Sequence, residues 1–455
     1  MISLYSTDFD RSLKAPLYTQ LYEKIRSGIL GGSLQRGERL PSLRALAQQS
    51  GLSVTSAQLA YDQLQTEGYI YSRPQSGYYV AELPQAAFDP QKTEREFVQY
   101  TAEKTAWRVD LEAFDFRGWK RCVDRVYGDY RHLLLTEGDL QGEAALRFEI
   151  AKYVQEARGV QASPEQVVIG AGTQQLTGHL ARMLRRQSLN LISVEDPGYL
   201  PIRRMLKDEG FTLAKIPVTQ EGIDLERLPV NVPSAVYVSP ANQFPTGAVM
   251  PISNRYKLLQ WAEENHSLII EDDYNSELRY FGRPIPALQG LDAAGCVIYM
   301  GSFTSTLFPA VRISYMILPE TMMPVFSETK DAYLQTCSRT DQLALALFME
   351  DGSYHKHIRR IRTLYAKKLQ QTVQAFQRYG KGQVTPQDTR SGISLLLMEE
   401  EGLDEMAFCR RGEALGARII PAEYQGAHHE KHLIFYYNRI PVDEIPELVR
   451  QLCRG

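Results

Sequence analysis

Residues 301–315 read GSFTSTLFPAVRISY, with hydroxyls at Ser302, Thr304, Ser305 and Thr306, an apolar run, and the guanidinium of Arg312. Hydroxyls followed by one arginine make either an ordinary loop entering a buried strand or a cradle that holds a phosphate. The residues alone leave both readings open. Other segments end in groups of complementary chemistry. GAGTQQL places Thr173 and Gln174 at a helix N-terminus, where free N–H groups and the helix dipole favour an anion. EDPGY ends in Tyr199, a ring able to lie over another ring, and EDDYNSE offers Asp272 and Tyr274 together on one strand end. A buried carboxylate keeps a pyridine nitrogen protonated, and a phenol bonds a ring oxygen. Singly, each group has a plain structural explanation: Tyr199 as core filler, Asp272 as a helix cap, Thr173 as a turn former.

The elements that must position these groups alternate. From residue 109 to 455, helical stretches separate QVVIGAG, LNLISVEDPGY, AVYVSPANQFPTG, SLIIEDDYNS, GCVIYMGSF and VRISYMIL. Apolar runs that end in Gly, Ser, Asp or Pro predict a large α/β domain with a mostly parallel sheet and function at its strand ends. The chain has 455 residues, 44% of them hydrophobic, enough for a small domain beside this large one. Its formal charge of −3 does not advertise a nucleic-acid partner, although residues 1–80 carry 8 Lys and Arg against 6 Asp and Glu. Five scattered cysteines without a CxxC spacing predict reduced thiols and no zinc site. No apolar stretch reaches about 18 residues, so a cytoplasmic protein without a membrane partner is expected. His428, His429 and His432 lack metal-site spacing and read as a polar loop before the strand LIFYY, so no metal is expected. Arg359 to Lys368 reads as a solvated helix face.

Residues 1–80 have their own order. Leu17, Leu21, Ile25 and Ile29 mark an amphipathic helix closed by Gly31 and Gly32. A second helix is capped by Ser42 and ends at Gly51; a third starts near Ser53 and is turned inward by Leu59 and Leu64. Aromatic segments on either side of RPQSG form a hairpin. Helix, helix-turn-helix and wing bind DNA through the start of the second helix of the motif. The candidate contacts are Ser42, Arg44, Ser53, Thr55, Ser56 and Arg73, with Gln58 beside them. A small helical module that binds protein is the alternative. Residues 81–108 lack periodicity and read as a linker, with some helix between Arg95 and Lys104.

The string Gly32-x4-Gly37-x2-Leu40-Pro41-Ser42-x-Arg44-x-Leu46-Ala47 resembles the winged-helix domain of GntR-type regulators, with Val54 where such domains usually carry arginine. The order of segments after residue 109 resembles the fold-type I, aminotransferase-like domain that MocR-type regulators append to that head. The resemblance implies that Thr173 and Gln174 meet the phosphate of pyridoxal phosphate, that Tyr199 stacks, and that Asp272 and Tyr274 face the ring nitrogen and phenolic oxygen. Ser302 and Arg312 would complete the phosphate cup. It also implies a head-to-tail homodimer on double-stranded promoter DNA. The family string is close to G-T-F-S-K-T-L-x-P-x-x-R; aligned through Gly301, Phe303, Thr306, Leu307, Pro309 and Arg312, its Schiff-base lysine falls on Ser305. Asn242, Asn275 and Ser394 depart from it as well. A serine forms no imine and shuttles no proton at a substrate carbon, so the expectation is a regulator that senses a small-molecule effector, not an enzyme. Any pyridoxal phosphate would be held non-covalently. The rivals are a pyridoxal-phosphate enzyme and a body that only dimerises the heads.

Overall fold

The computed structural model describes residues 9, 16–82, 110–273, 275–280, 285–332, 334–387, 392–400, 402–422 and 432–454. The chain divides into two compact units, Met1–Glu103 and Lys104–Gly455.

In the first unit, α1 (Leu17–Leu30) and α2 (Leu43–Ser50) both pack on α3 (Val54–Thr66), and a hairpin of β1 (Ile70–Arg73) and β2 (Gly77–Val80) follows. The Ser42 hydroxyl caps α2 by accepting from Ala45 N at 3.3 Å, and Ser53 caps α3 by accepting from Ser56 N at 3.0 Å. Gly51, with φ 68°, turns the chain between them. The core is Leu21, Ile25, Leu46, Ala57, Tyr61 and Leu64. Leu59 does not join it: 47% of its surface is exposed. The buried stripe of α3 is Ala57, Ala60, Tyr61 and Leu64, spaced by three and four, and Leu59 falls on the opposite face.

In the second unit, α4 (Phe116–Asp129) and α5 (Ala144–Arg158) precede the strands. The chain then runs β3 (Val167–Gly170), α6 (Thr173–Arg186), β4 (Leu191–Asp196), α7 (Leu200–Asp208), β5 (Thr212–Thr219), β6 (Gly222–Ile223) and β7 (Ala235–Val238). It continues through α8 (Ile252–Glu264), β8 (Leu268–Asp272), β9 (Val297–Ser302), β10 (Ser314–Ile317), α9 (Met323–Thr329) and α10 (Arg339–Glu350). The eight strands lie in the order β3-β10-β9-β8-β7-β4-β5-β6. The central pairs are parallel, while β10 runs antiparallel to both its neighbours, and the two-residue β6 is an antiparallel edge. Side chains alternate between faces: Val167, Ile169 and Tyr299 pack with α4, α5 and α10, whereas Val168, Ile298 and Met300 pack with α6, α7 and α9. The mixed, mostly parallel sheet agrees with the sequence reading, which missed β5 and β6.

A second sheet, of which the sequence reading foresaw only the strand LIFYY, completes the unit. The long α11 (Ser353–Tyr379) leads into β11 (Val384–Gln387), β12 (Ser394–Glu399), α12 (Glu405–Ala414), β13 (Arg418–Ala422), β14 (His432–Tyr436) and α13 (Ile445–Leu452). These strands form an antiparallel sheet in the order β11-β12-β14-β13, with Phe376, Leu395, Phe408, Phe435 and Leu448 in its core. Two expectations are corrected here. His432 is the buried first residue of β14, with Leu433 to Tyr436 completing the strand, so it is not loop; His428 and His429 lie outside the described residues. Arg359 to Lys368 is not wholly solvated, because Ile361, Tyr365 and Lys368 sit on the buried face of α11. The Lys368 ammonium pairs with Asp110 at 2.6 Å and donates to Asn438 O at 2.7 Å, which compensates a charge that burial would otherwise make costly.

Candidate functional site

A cavity of about 620 Å³ opens where β8 and β9 end and α6 and α7 begin. Its wall includes Thr173, Gln174, Tyr199, Asp272, Ser302, Ser305 and Arg312. Seven of the eight cofactor candidates thus converge, although they are spread over 140 residues of chain; the eighth, Tyr274, lies outside the described residues.

One pole is built for an anion. Gly172 has φ 94°, and a Cβ there would come 2.5 Å from Arg312 Nη2. Only a bare backbone lets the guanidinium lie beside the start of α6, where Thr173 and Gln174 follow with their N–H groups at the helix N-terminus. Among the described residues, no carboxylate pairs with Arg312. Ser302 adds a hydroxyl, fixed by a bond from Ser314 Oγ at 2.8 Å and by Thr304 N at 3.3 Å. A cation, two hydroxyl side chains and helix N–H groups gathered at one end of the cavity fit a phosphate.

The middle of the cavity suits a ring with a basic nitrogen. Asp272 accepts from the Tyr237 hydroxyl at 2.6 Å, and burial pushes its carboxyl up to about 6, opposed by that bond and helped by the nearby charge of Asp273. Asp273 itself is spent on structure, gripping the buried Arg158 guanidinium at 2.8 and 3.0 Å. Tyr199 sits edge-on to Phe244, ring centres 6.0 Å apart, at the cavity margin. The turn NQFPTG is tied by Gln243, which donates to Pro197 O at 2.8 Å and accepts from Thr246 Oγ1 at 2.6 Å. The loop carrying Ser305 is pinned one residue later, where Thr306 bonds Tyr354 at 3.2 Å and its carbonyl meets His357 Nε2 at 2.6 Å. Among the described residues, no lysine lines the cavity.

The far pole comes from the antiparallel sheet and was not anticipated. Arg418, Tyr436, Asn438 and Arg439 line it, with the Arg418 guanidinium 4.6 Å from the centre of the Tyr436 ring. Their positions, more than 100 residues beyond Arg312, carry no motif. Among the described residues, three on the wall have buried polar atoms without a hydrogen-bond partner: Thr304 Oγ1, both amide atoms of Asn275, and Asn438 Oδ1. Each such group costs about 1–3 kcal/mol, which argues for a polar occupant.

In the first unit, the DNA candidates fall into two kinds. Ser42, Ser53 and Ser56 serve local structure, since Ser53 Oγ and Ser56 Oγ are 2.9 Å apart within the α3 cap. Arg44 and Thr55 are exposed, and Arg73 is held in the wing over the Tyr71 and Tyr79 rings at 5.4 and 4.8 Å.

Residues 17–80 match the family model "Bacterial regulatory proteins, gntR family", and residues 132–418 match "Aminotransferase class I and II". The chain is 39% identical over 428 residues to the uncharacterized HTH-type transcriptional regulator YdeL of Bacillus subtilis (strain 168), covering 92% of each. It is 33% identical to the probable rhizopine catabolism regulatory protein MocR of Rhizobium meliloti, over 92% of this chain and 89% of that one. The crystal structure of the α-aminoadipate aminotransferase LysN from Thermus thermophilus, complexed with N-(5'-phosphopyridoxyl)-L-leucine, superposes with a TM-score of 0.66 at 24% identity, over 76% of this chain and 90% of that one.

Proposed function

The chain belongs to the MocR-type HTH transcriptional regulators, DNA-binding proteins that join a gntR-family head to an aminotransferase-like body, and from that premise we propose that the body senses a small ligand without transamination. The ligand is pyridoxal phosphate or a pyridoxal derivative of an amino acid. One observation carries the reading: Thr173, Gln174, Ser302 and Arg312 gather beside Gly172, while the position that resemblance assigns to the reactive lysine is Ser305, on a wall that holds no lysine among the described residues.

Pyridoxal phosphate, when bound, supplies an electron-withdrawing pyridine ring. Thr173, Gln174, Ser302 and Arg312 hold the phosphate, Asp272 holds the ring nitrogen, Tyr199 covers the ring, and Tyr274 bonds its oxygen. Ser305 borders the aldehyde and cannot capture it as an imine. The ligand therefore acts by preferring one arrangement of the chain over another, which is the requirement for coupling to DNA. We take the assembly to be a cytoplasmic head-to-tail homodimer on promoter DNA, with residues 81–108 as tether and Ser42, Arg44, Ser53, Thr55, Ser56 and Arg73 as DNA contacts.

Titration of the purified chain with pyridoxal phosphate, followed by absorbance and melting temperature, tests this. Saturable stabilisation is expected, with no borohydride-fixed adduct on the chain. A flat titration would remove the sensor, and turnover of an amino donor would make the body an enzyme.

A further inference from the structure

Helix α3, VTSAQLAYDQLQT, is the second helix of the helix-turn-helix, the element that enters the major groove, and it contains no lysine, arginine or histidine. Its buried face is Ala57, Ala60, Tyr61 and Leu64. The outer face presents Thr55, Gln58 and Leu59, and Val54, the first residue of the helix, stands at its edge beside the buried stripe, all exposed near the N-terminus that approaches base edges; Val54 and Leu59 keep 48% and 47% of their surface open. Among the described residues, no hydrogen bond or ion pair occupies the Thr55 or Gln58 side chain, whereas the Ser53 and Ser56 hydroxyls are tied into the cap at 2.9 Å. Farther along the same face stands the exposed Asp62, whose charge repels phosphate.

Guanine is read chiefly by bidentate Arg or Lys on O6 and N7; adenine is read by Asn or Gln on N6 and N7, and thymine by apolar contact with its methyl group. This face offers three methyl-bearing side chains and one primary amide. Isolated surface valines and leucines need no explanation, but two of them framing an uncharged reading face do. We propose that α3 selects A·T pairs, with Val54, Thr55 and Leu59 packing on thymine methyls and Gln58 bonding adenine. Phosphate attraction comes from outside the helix, from Arg44 on α2 and from the ring-stacked Arg73 of the wing.

This inference rests on the head reading duplex DNA through α3. The full-length chain selects sites from a random duplex pool, and the preferred site is then resynthesised with deoxyuridine for thymidine under α3. Each contacted methyl removed should weaken binding about four-fold, the effect of one buried methyl group. Val54→Ala, which leaves the buried core untouched, should lose the response at one position, and 5-methylcytosine should bind better there than cytosine. Equal binding of every duplex would overturn the reading head itself. A selected site with G·C pairs under α3, or one indifferent to deoxyuridine, would overturn only the A·T assignment.

Discussion

Asp272 is asked to hold a negative charge in a place that resists it. Its carboxyl is pushed from 3.8 up to about 6, so the folded chain binds a proton there more readily than the unfolded chain does. Its contribution to stability therefore falls as pH rises from about 4 through about 6, and above that the buried charge is a net cost. Asp272→Asn should melt higher than the parent at pH 8, by a margin on the order of 1–3 kcal/mol that closes below about pH 4, while its affinity for pyridoxal phosphate drops. Thermal melts across pH, with and without ligand, check both halves. Gly172→Ala should weaken that ligand by ten-fold or more, because the new Cβ meets the Arg312 guanidinium at 2.5 Å and the backbone resists φ 94°. Ser305→Lys should give a visible imine absorbance that borohydride bleaches, leaving a pyridoxyl group on the chain, read by mass. The seven converging residues were legible because each sits in a short recognisable string at a strand end, at a helix start or in the loop between β9 and β10. Tyr237 was not: it sits inside β7, with nothing in AVYV to show that its hydroxyl reaches Asp272.

At the scale of elements, the small C-terminal sheet depends on a buried ion pair. Lys368→Met leaves the Asp110 carboxylate, only 9% exposed, without its cation and should cost about 3 kcal/mol in denaturant unfolding. Adding Asp110→Asn should recover part of that loss. A single variant as stable as the parent would mean that the pair contributes nothing. The sequence reading found the six principal strands of the large sheet but only the LIFYY strand of this one. Short runs such as SLLLME and HLIFY look alike whether their neighbours run parallel or antiparallel; the connections decide, and here they are interrupted by polar stretches. Leu59 misled for a related reason. A leucine in a helix proposes burial, but the stripe is set by the whole helix, and α3 fills its inner side with Ala57, Ala60, Tyr61 and Leu64.

At the scale of the whole molecule, a sensor obeys reciprocity. If pyridoxal phosphate changes the affinity for a selected duplex by some factor, the duplex must change the affinity for pyridoxal phosphate by the same factor. Fluorescence titrations in both directions should agree; a ligand that binds tightly yet leaves DNA affinity untouched would make the cavity a passenger. The two-unit organisation was legible because the winged-helix string and the alternating pattern differ so plainly in period. The far pole was not, since Arg418, Asn438 and Arg439 are brought to the cavity only when the second sheet folds back over the first. The ion pair at Asp110 has one more consequence. Asp110, with Leu111, Ala113, Phe114 and Phe116, lines the cavity. A buried contact that holds α11 to the residues just before α4 is thus also part of the chamber wall, so an occupant of that chamber and the small sheet share one footing.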